Sequence, residues 1–213
     1  PGRATFRPSS MDPVQLNAPQ LEAIAHAPGR PLVVFAGAGS GKTRVIVHRI
    51  ARLVAEEGVA PWRILAVTFT NKAAGELRER LARLLPPSAR SEREPSGRRR
   101  ETDVWVGTFH SICARLLRLH AESIGIRRDF TIYDDDDQKA LITRVMRDRG
   151  LNDKQFAPKQ IAARINRAKN EGVGVAGFES NDAFGDVVKR VFEDYEARLL
   201  QAGAFDFGDL IFR

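Results

Sequence analysis

Cysteine is almost missing from this chain: Cys113 is the one cysteine among 213 residues. A single thiol excludes a disulfide framework and fits a reducing compartment. With no general base identifiable near it, Cys113 reads as a small helix residue and not as a catalytic nucleophile. Long apolar runs are missing too. No stretch approaches the ~20 residues that cross a bilayer, and no basic segment followed by an apolar one opens the chain as a secretion signal. The expectation is a cytoplasmic protein without a membrane partner. Acidic charge is the third deficit: 27 Asp and Glu face 34 Lys and Arg, a net charge of +7. That imbalance favours a polyanionic partner, although charge alone does not name one. The hydrophobic share of 43% suffices for a core, and the length admits one large domain or two small ones.

What the chain does have begins at residue 31. The apolar run Pro31-Leu-Val-Val-Phe35 leads into Ala36-Gly-Ala-Gly-Ser-Gly-Lys-Thr43. A strand opening into a glycine-rich turn and then a helix is a phosphate cradle. Gly37, Gly39 and Gly41 let backbone N–H groups converge, Lys42 brings a cation to the terminal phosphates, and the Thr43 hydroxyl suits Mg²⁺. Ala36 stands where the motif G-x-x-x-x-G-K-[ST] has its first glycine. The spacing implies a nucleoside triphosphate as ligand.

The first half of the chain alternates strand and helix signals. Strands are expected at 33–35, 63–69 and 103–107, with helices at 42–57, at 72–85 and from about His110. Such alternation implies an α/β fold with a parallel sheet covered by helices. Proline, serine and arginine crowd residues 86–102, which read as a flexible loop; residues 1–10, ahead of Met11, read as a disordered tail. Beyond residue 120 the periodicity turns helical over 137–149, 158–170 and 182–202, an inserted all-helical subdomain.

Two strand ends carry a second kind of chemistry. Val67-Thr-Phe-Thr-Asn-Lys-Ala73 and Val106-Gly-Thr-Phe-His-Ser111 each close a strand and open a helix. In an open parallel sheet the carboxyl ends of strands face the ligand crevice. Phe69, Phe109 and His110 offer stacking surfaces, and Thr70, Asn71 and Thr108 offer phosphate contacts. Taken alone, the first junction is better explained as a capped strand–helix turn, with Thr70 or Asn71 as N-cap, and the second as a cap plus one core aromatic. Together, on one sheet edge beside a phosphate loop, they favour nucleic acid.

Four segments then resemble one family. Leu16-Asn-Ala-Pro-Gln20, Ala36 to Arg44, Ala66-Val-Thr-Phe-Thr-Asn-Lys-Ala-Ala74 and Val106-Gly-Thr-Phe-His110 are similar to the Q motif and motifs I, Ia and Ib of UvrD/Rep/PcrA-type helicases. These are superfamily 1A translocases that move 3′ to 5′ on DNA. The segments Ile165-Asn-Arg-Ala-Lys-Asn-Glu-Gly172 and Ala204-Phe-Asp-Phe-Gly-Asp-Leu210 resemble the family's helical insertion and the return from it. The resemblance implies a RecA-like P-loop domain over 11–110, a helical 1B-like subdomain over 111–203 and a return to the first domain at 204–213. It implies ATP and Mg²⁺ as cofactors, held by Gln20 at the adenine edge, Ala38, Gly39, Ser40 and Gly41 around the phosphates, Lys42 and Thr43 at the reacting end, and Arg44 against the base. Lys42 and Thr43 are then the catalytic residues and Thr43 the Mg²⁺ ligand. Phe69, Thr70, Asn71, Lys72, Thr108, Phe109 and His110 are implied to line the track for single-stranded DNA, with single-strand/duplex junctions as substrate. A bacterial, nucleoid-associated role in repair or replication follows from the same likeness. The family's Asp-Glu motif, its arginine-bearing motifs and its second motor half would lie beyond Arg213, so the chain alone is expected to hydrolyse little ATP.

Three segments imitate other sites. Phe130-Thr-Ile-Tyr-Asp-Asp135 looks like a strand ending in metal-binding acids, and a self-contained ATPase or phosphotransferase using Asp134 or Asp135 is the competing function. Asp134 to Asp137 nevertheless precede a helical run and read as its cap. Asp206-Phe-Gly208 spells a kinase triplet without the preceding catalytic loop, and Arg98-Arg-Arg100 reads as a solvated charge run.

Overall fold

Asn17 opens the first helix, α1 (Ala18–Ala25), through a reciprocal cap: its side chain accepts from the Gln20 N–H while the Gln20 side chain accepts from the Asn17 N–H, both at 3.0 Å. The computed structural model describes residues 16–85 and 104–213. The tail expected over 1–10 and the loop expected over 86–102 lie outside the described residues. Between Phe109 and His110 the chain divides into two units.

In the first unit, α2 (Lys42–Ala55) buries Val45, Val47, Ile50 and Ala51. Arg49 and Arg52 on this helix donate to carbonyls at the end of α1, Arg49 to His26 at 2.8 Å and Arg52 to Ile24 at 3.0 Å. Those carbonyls have no partner within their own helix, so the two guanidiniums both satisfy them and seat α1 on α2. Strand β1 (Leu65–Thr68), helix α3 (Asn71–Leu84) and strand β2 (Trp105–Thr108) follow. The strands pair in parallel, from Leu65 opposite Trp105 to Thr68 opposite Thr108. Parallel neighbours require a crossover, and α3 lies within it, burying Ala74, Leu77 and Leu81 with Ala66 and Val106. The Arg78 guanidinium pins α3 to β2 by donating to the Val106 carbonyl at 3.2 and 3.0 Å.

One expectation fails here. Residues 33–35 form no strand: Val33 is 73% exposed and Phe35 95%. A strand exists only where a neighbour completes its hydrogen bonds, and the sheet described in this unit has two members, neither of which pairs with this run. Apolar, β-branched residues supply the propensity without the partner.

The second unit is chiefly helical, as its periodicity predicts: α4 (Phe109–Leu119, entering from the first unit), α5 (Asp135–Asp148), α6 (Pro158–Asn170), α7 (Ala183–Ala202) and α8 (Phe207–Phe212). Its core joins Ile142, Val145 and Met146 of α5 to Ile161 and Ile165 of α6 and Val188, Val191, Phe192 and Tyr195 of α7. Two short strands, β3 (Thr131–Tyr133) and β4 (Ala204–Asp206), pair in parallel inside this unit. Residues 204–213, read from sequence as a return to the first domain, thus take their strand partner from β3. Asp134 caps α5, accepting from the N–H groups of Asp136 and Asp137, the role its spacing implies.

A polar cluster lies inside this core. Lys169 of α6 is buried with its ammonium 2.6 Å from Glu196, 2.8 Å from Asp206 and 2.9 Å from Asp209. Asp206 also accepts from the Tyr195 hydroxyl at 2.7 Å and the Gln138 amide at 3.1 Å. Burial by itself lowers the Lys169 pKa, but the carboxylates of Asp209, Asp206 and Glu196 outweigh it and hold the lysine charged. Burial pushes Asp209 up from 3.8 to about 6, with Lys169 opposing and the carboxylates of Asp206 and Glu196 reinforcing.

A carboxyl whose folded pKa is raised holds its proton longer in the folded state. It therefore costs stability as pH rises from its unfolded value near 4 through about 6. Asp209→Asn removes that cost. Urea unfolding of both proteins from pH 4 to pH 7 is expected to show the variant gaining on wild type as pH rises, by at most about 3 kcal/mol. Parallel stability curves would contradict the assignment.

Candidate functional site

The segment 36–43 folds as a glycine-dependent loop closing onto a helix. Gly39 and Gly41 take φ of 76° and 86°, left-handed values that side chains avoid. Gly41 precedes α2, whose first turn has no side-chain cap, so its N–H groups are available to an anion. The Lys42 ammonium lies over the same loop, donating to the carbonyls of Ala36 at 2.9 Å and Gly37 at 2.6 Å. Ser40 braces the turn from within, its hydroxyl donating to the Gly37 carbonyl at 2.7 Å.

Gln20 arrives from α1, donating its amide to the Ser40 carbonyl at 2.9 Å. A Cβ on Gly41 would lie 2.8 Å from that amide nitrogen and 3.3 Å from the Arg44 guanidinium. The structure therefore gathers Gln20, Ser40, Gly41, Lys42 and Arg44 at one helix N-terminus, with Ala38 and Gly39 in the turn and Thr43 in the first turn of α2. These residues fit Mg²⁺ and a polyphosphate: uncapped N–H donors, a lysine ammonium, and a threonine hydroxyl at the position the motif requires. Gln20 is tied to the loop by its hydrogen bond, a bracing contact beyond the adenine-edge role implied for it.

The second group lies where β1 and β2 end. Because Thr68 faces Thr108 in the ladder, the next residues, Phe69 and Phe109, emerge side by side. Their ring centroids are 5.6 Å apart, and Phe69 is 90% exposed. A large aromatic in that position gains nothing from the core and presents a face to solvent. Thr70 caps α3, accepting from the Ala73 N–H at 3.1 Å, so part of this junction is structural. Asn71 and Lys72, in the first turn of α3, are exposed.

In the second unit, exposed His110 meets the Phe207 ring edge-on, with centroids 5.4 Å apart. Phe207 was missed in sequence because it sits in the triplet set aside as a chance kinase likeness. These rings border a cavity of about 140 Å³ lined also by Tyr133, Asp135, Asn166 and Asn170. The outer face of α5 carries Lys139, Arg144 and Arg147, which form no ion pair among the described residues.

Comparison with known proteins decides the family. The model of the UvrD/REP helicase N-terminal domain matches residues 16–213, nearly the whole chain. The chain belongs to this family. It is 45% identical over 198 residues to the ATP-dependent DNA helicase PcrA of Bacillus subtilis, 43% to that of Leuconostoc citreum and 41% to that of Staphylococcus aureus. Each alignment covers 92% of this chain and 25% of the relative, so the chain spans a quarter of the length of those helicases.

Within this UvrD/REP-type domain, Gly41 combines a left-handed φ with a neighbour that an added Cβ would strike. Gly41→Ala combines left-handed strain with a collision against Gln20 and is expected to cost about 1–2 kcal/mol of stability. Gln20→Ala relieves the collision but not the strain, so Gly41→Ala in that background should recover part of the loss. Thermal unfolding of the four proteins measures this, and full additivity would show that Gln20 does not press on the loop.

Proposed function

We propose that this chain is the ATP- and single-strand-binding N-terminal part of an ATP-dependent DNA helicase that translocates 3′ to 5′. The observation that carries the reading is the loop at 36–43, where an uncapped helix N-terminus, two left-handed glycines and Lys42 converge. Family membership and the aromatic pair Phe69/Phe109 support it. The fold on this reading is a RecA-like P-loop domain. Asp134 is engaged in capping α5, which takes one of the two candidate acids, Asp134 and Asp135, from the self-contained ATPase reading.

Backbone N–H groups of the loop and the first turn of α2 would hold phosphate oxygens. Lys42 would neutralise charge at the transferred group, and Thr43 would hold Mg²⁺. Arg44 and Gln20 would border the base. Bound Mg²⁺ and ATP supply the phosphoryl group whose transfer to water drives motion. The acids and arginines that complete this chemistry belong, on this reading, to the remainder of a parent chain about the length of the relatives.

Single-stranded DNA would stack on Phe69 and Phe109, with Asn71, Lys72, Thr70 and Thr108 at its backbone. His110 and Phe207 offer a second stacking pair in the helical unit. The cations of α5, which form no ion pair among the described residues, suit the phosphates of a duplex, a substrate form found at repair and replication intermediates.

Three measurements test this. Lys42→Ala is expected to weaken binding of a fluorescent ATP analogue at least tenfold while leaving oligothymidylate affinity unchanged; unaltered nucleotide binding would refute the phosphate assignment. Phe69→Ala should weaken oligothymidylate binding by about 1–3 kcal/mol with no fall in melting temperature, since the ring is exposed. A folded variant that binds DNA normally would remove Phe69 from the track. Neutralising Lys139, Arg144 and Arg147 together should flatten the salt dependence of junction binding by about three units of slope. An unchanged slope would place the duplex elsewhere.

A further inference from the structure

We propose that Lys169 is a positioning residue for single-strand binding: it fixes the start of α8 so that Phe207 stands against His110. This rests on the DNA reading above and assigns a role to a residue that no strand or nucleotide would touch.

Helix α8 has six residues, too few to hold itself together, so its place is set by what grips its ends. Its grip is the Lys169 cluster. Asp206 caps the helix, accepting from the Asp209 N–H at 2.8 Å, and Asp209 accepts from the Asp206 N–H at 3.2 Å. The same two carboxylates receive the Lys169 ammonium at 2.8 and 2.9 Å. Glu196, Asp206 and Asp209 lie close enough to ligate a metal ion, yet the lysine ammonium stands among them and supplies the cation from within the fold.

Phe207 is held on both sides by this arrangement. Before it comes buried Asp206. After it comes Gly208, where an added Cβ would lie 3.0 Å from Cδ of Lys169, so the lysine stem packs across the glycine. With both neighbours pinned, the backbone that carries the exposed Phe207 ring is fixed, and the ring rests edge-on against His110. Its partner is fixed by different means: α4, which carries His110, is seated through Ala114 and Leu117 on Phe205 and Leu210, the residues flanking this turn. The ring pair at 5.4 Å is thus built from a buried ion cluster on one side and an apolar cluster on the other.

The test uses the full chain with Lys169→Met, Lys169→Arg and Gly208→Ala, each alone and combined with Phe207→Ala. Oligothymidylate affinity per folded molecule is read by anisotropy. Stacking is read from the fluorescence of a 2-aminopurine placed in the strand. Lys169→Met is expected to weaken affinity about tenfold and to lose the stacking signal, and Lys169→Arg to restore part of both. Gly208→Ala, which displaces the stem without changing charge, should act in the same direction. In the Phe207→Ala background none of them should matter further, because the lysine acts through that ring. A folded Lys169→Met with wild-type affinity and stacking, or losses that add in full to Phe207→Ala, would overturn the proposal. If Lys169→Met does not fold, Gly208→Ala and Lys169→Arg are judged by the same criteria. Loss at Phe69→Ala with none at Lys169 or Phe207 would sink this inference alone. No loss at Phe69, Phe109 or Phe207 would sink the DNA reading and this inference with it.

Discussion

Parallel pairing of β1 with β2, in a register that sets Thr68 opposite Thr108, is the constraint on which the first unit depends. Parallel strands deliver their carboxyl ends to the same edge, so whatever follows each strand emerges there. Phe69 and Phe109 follow, and the register makes them neighbours. A slip of one residue would send one ring to the opposite face of the pleat and dissolve the pair. The buried contacts of α3 and the Arg78 bridge to Val106 both act to hold that register. An exposed phenylalanine lies outside this stabilisation: at 90% exposure the Phe69 ring contributes little to packing.

The glycine-rich loop at 36–43 obeys a different logic. Its shape comes from glycines in conformations that other residues avoid, and its donors are backbone groups left over at a helix N-terminus. Such a site needs external bracing, which Gln20 gives from α1. Two arginines hold α1 in turn by satisfying carbonyls that its C-terminal end leaves unpaired. In the helical unit the organising element is ionic instead. A buried lysine among three carboxylates costs desolvation that only close geometry offsets, and removing one partner from such a cluster is far more damaging than never having built it. That makes the start of α8 a fixed point.

Much of this was legible in the chain. Helix periodicity located α2, α3, α5, α6 and α7 to within a few residues, and the run of acids at 134–137 announced a cap that the fold uses. The loop at 36–43 was legible as a glycine-dependent turn into a helix because its shape resides in local backbone, where spacing is everything. Residues 31–35 show the opposite case. Their composition favours a strand, but a strand is a relation between segments, and propensity cannot supply the other member. Lys169 looked like one more charge on a helix whose partners, Asp206 and Asp209, lie 37 and 40 residues further on. Phe207, inside a triplet set aside as a chance likeness, also gave no local signal of its neighbour: His110 lies 97 positions earlier and meets it where α4 packs with the β4–α8 turn.

The central claim is that strand register turns two phenylalanines into a platform for nucleic-acid bases. Photocrosslinking tests it most directly: an oligonucleotide carrying 5-iodouridine is irradiated on the protein, and the adducts are located to the residue by peptide fragmentation. The account predicts adducts at Phe69 and Phe109, lost when unlabelled single strand competes. Efficient crosslinking confined to other residues, with Phe69 and Phe109 unmodified, would contradict it.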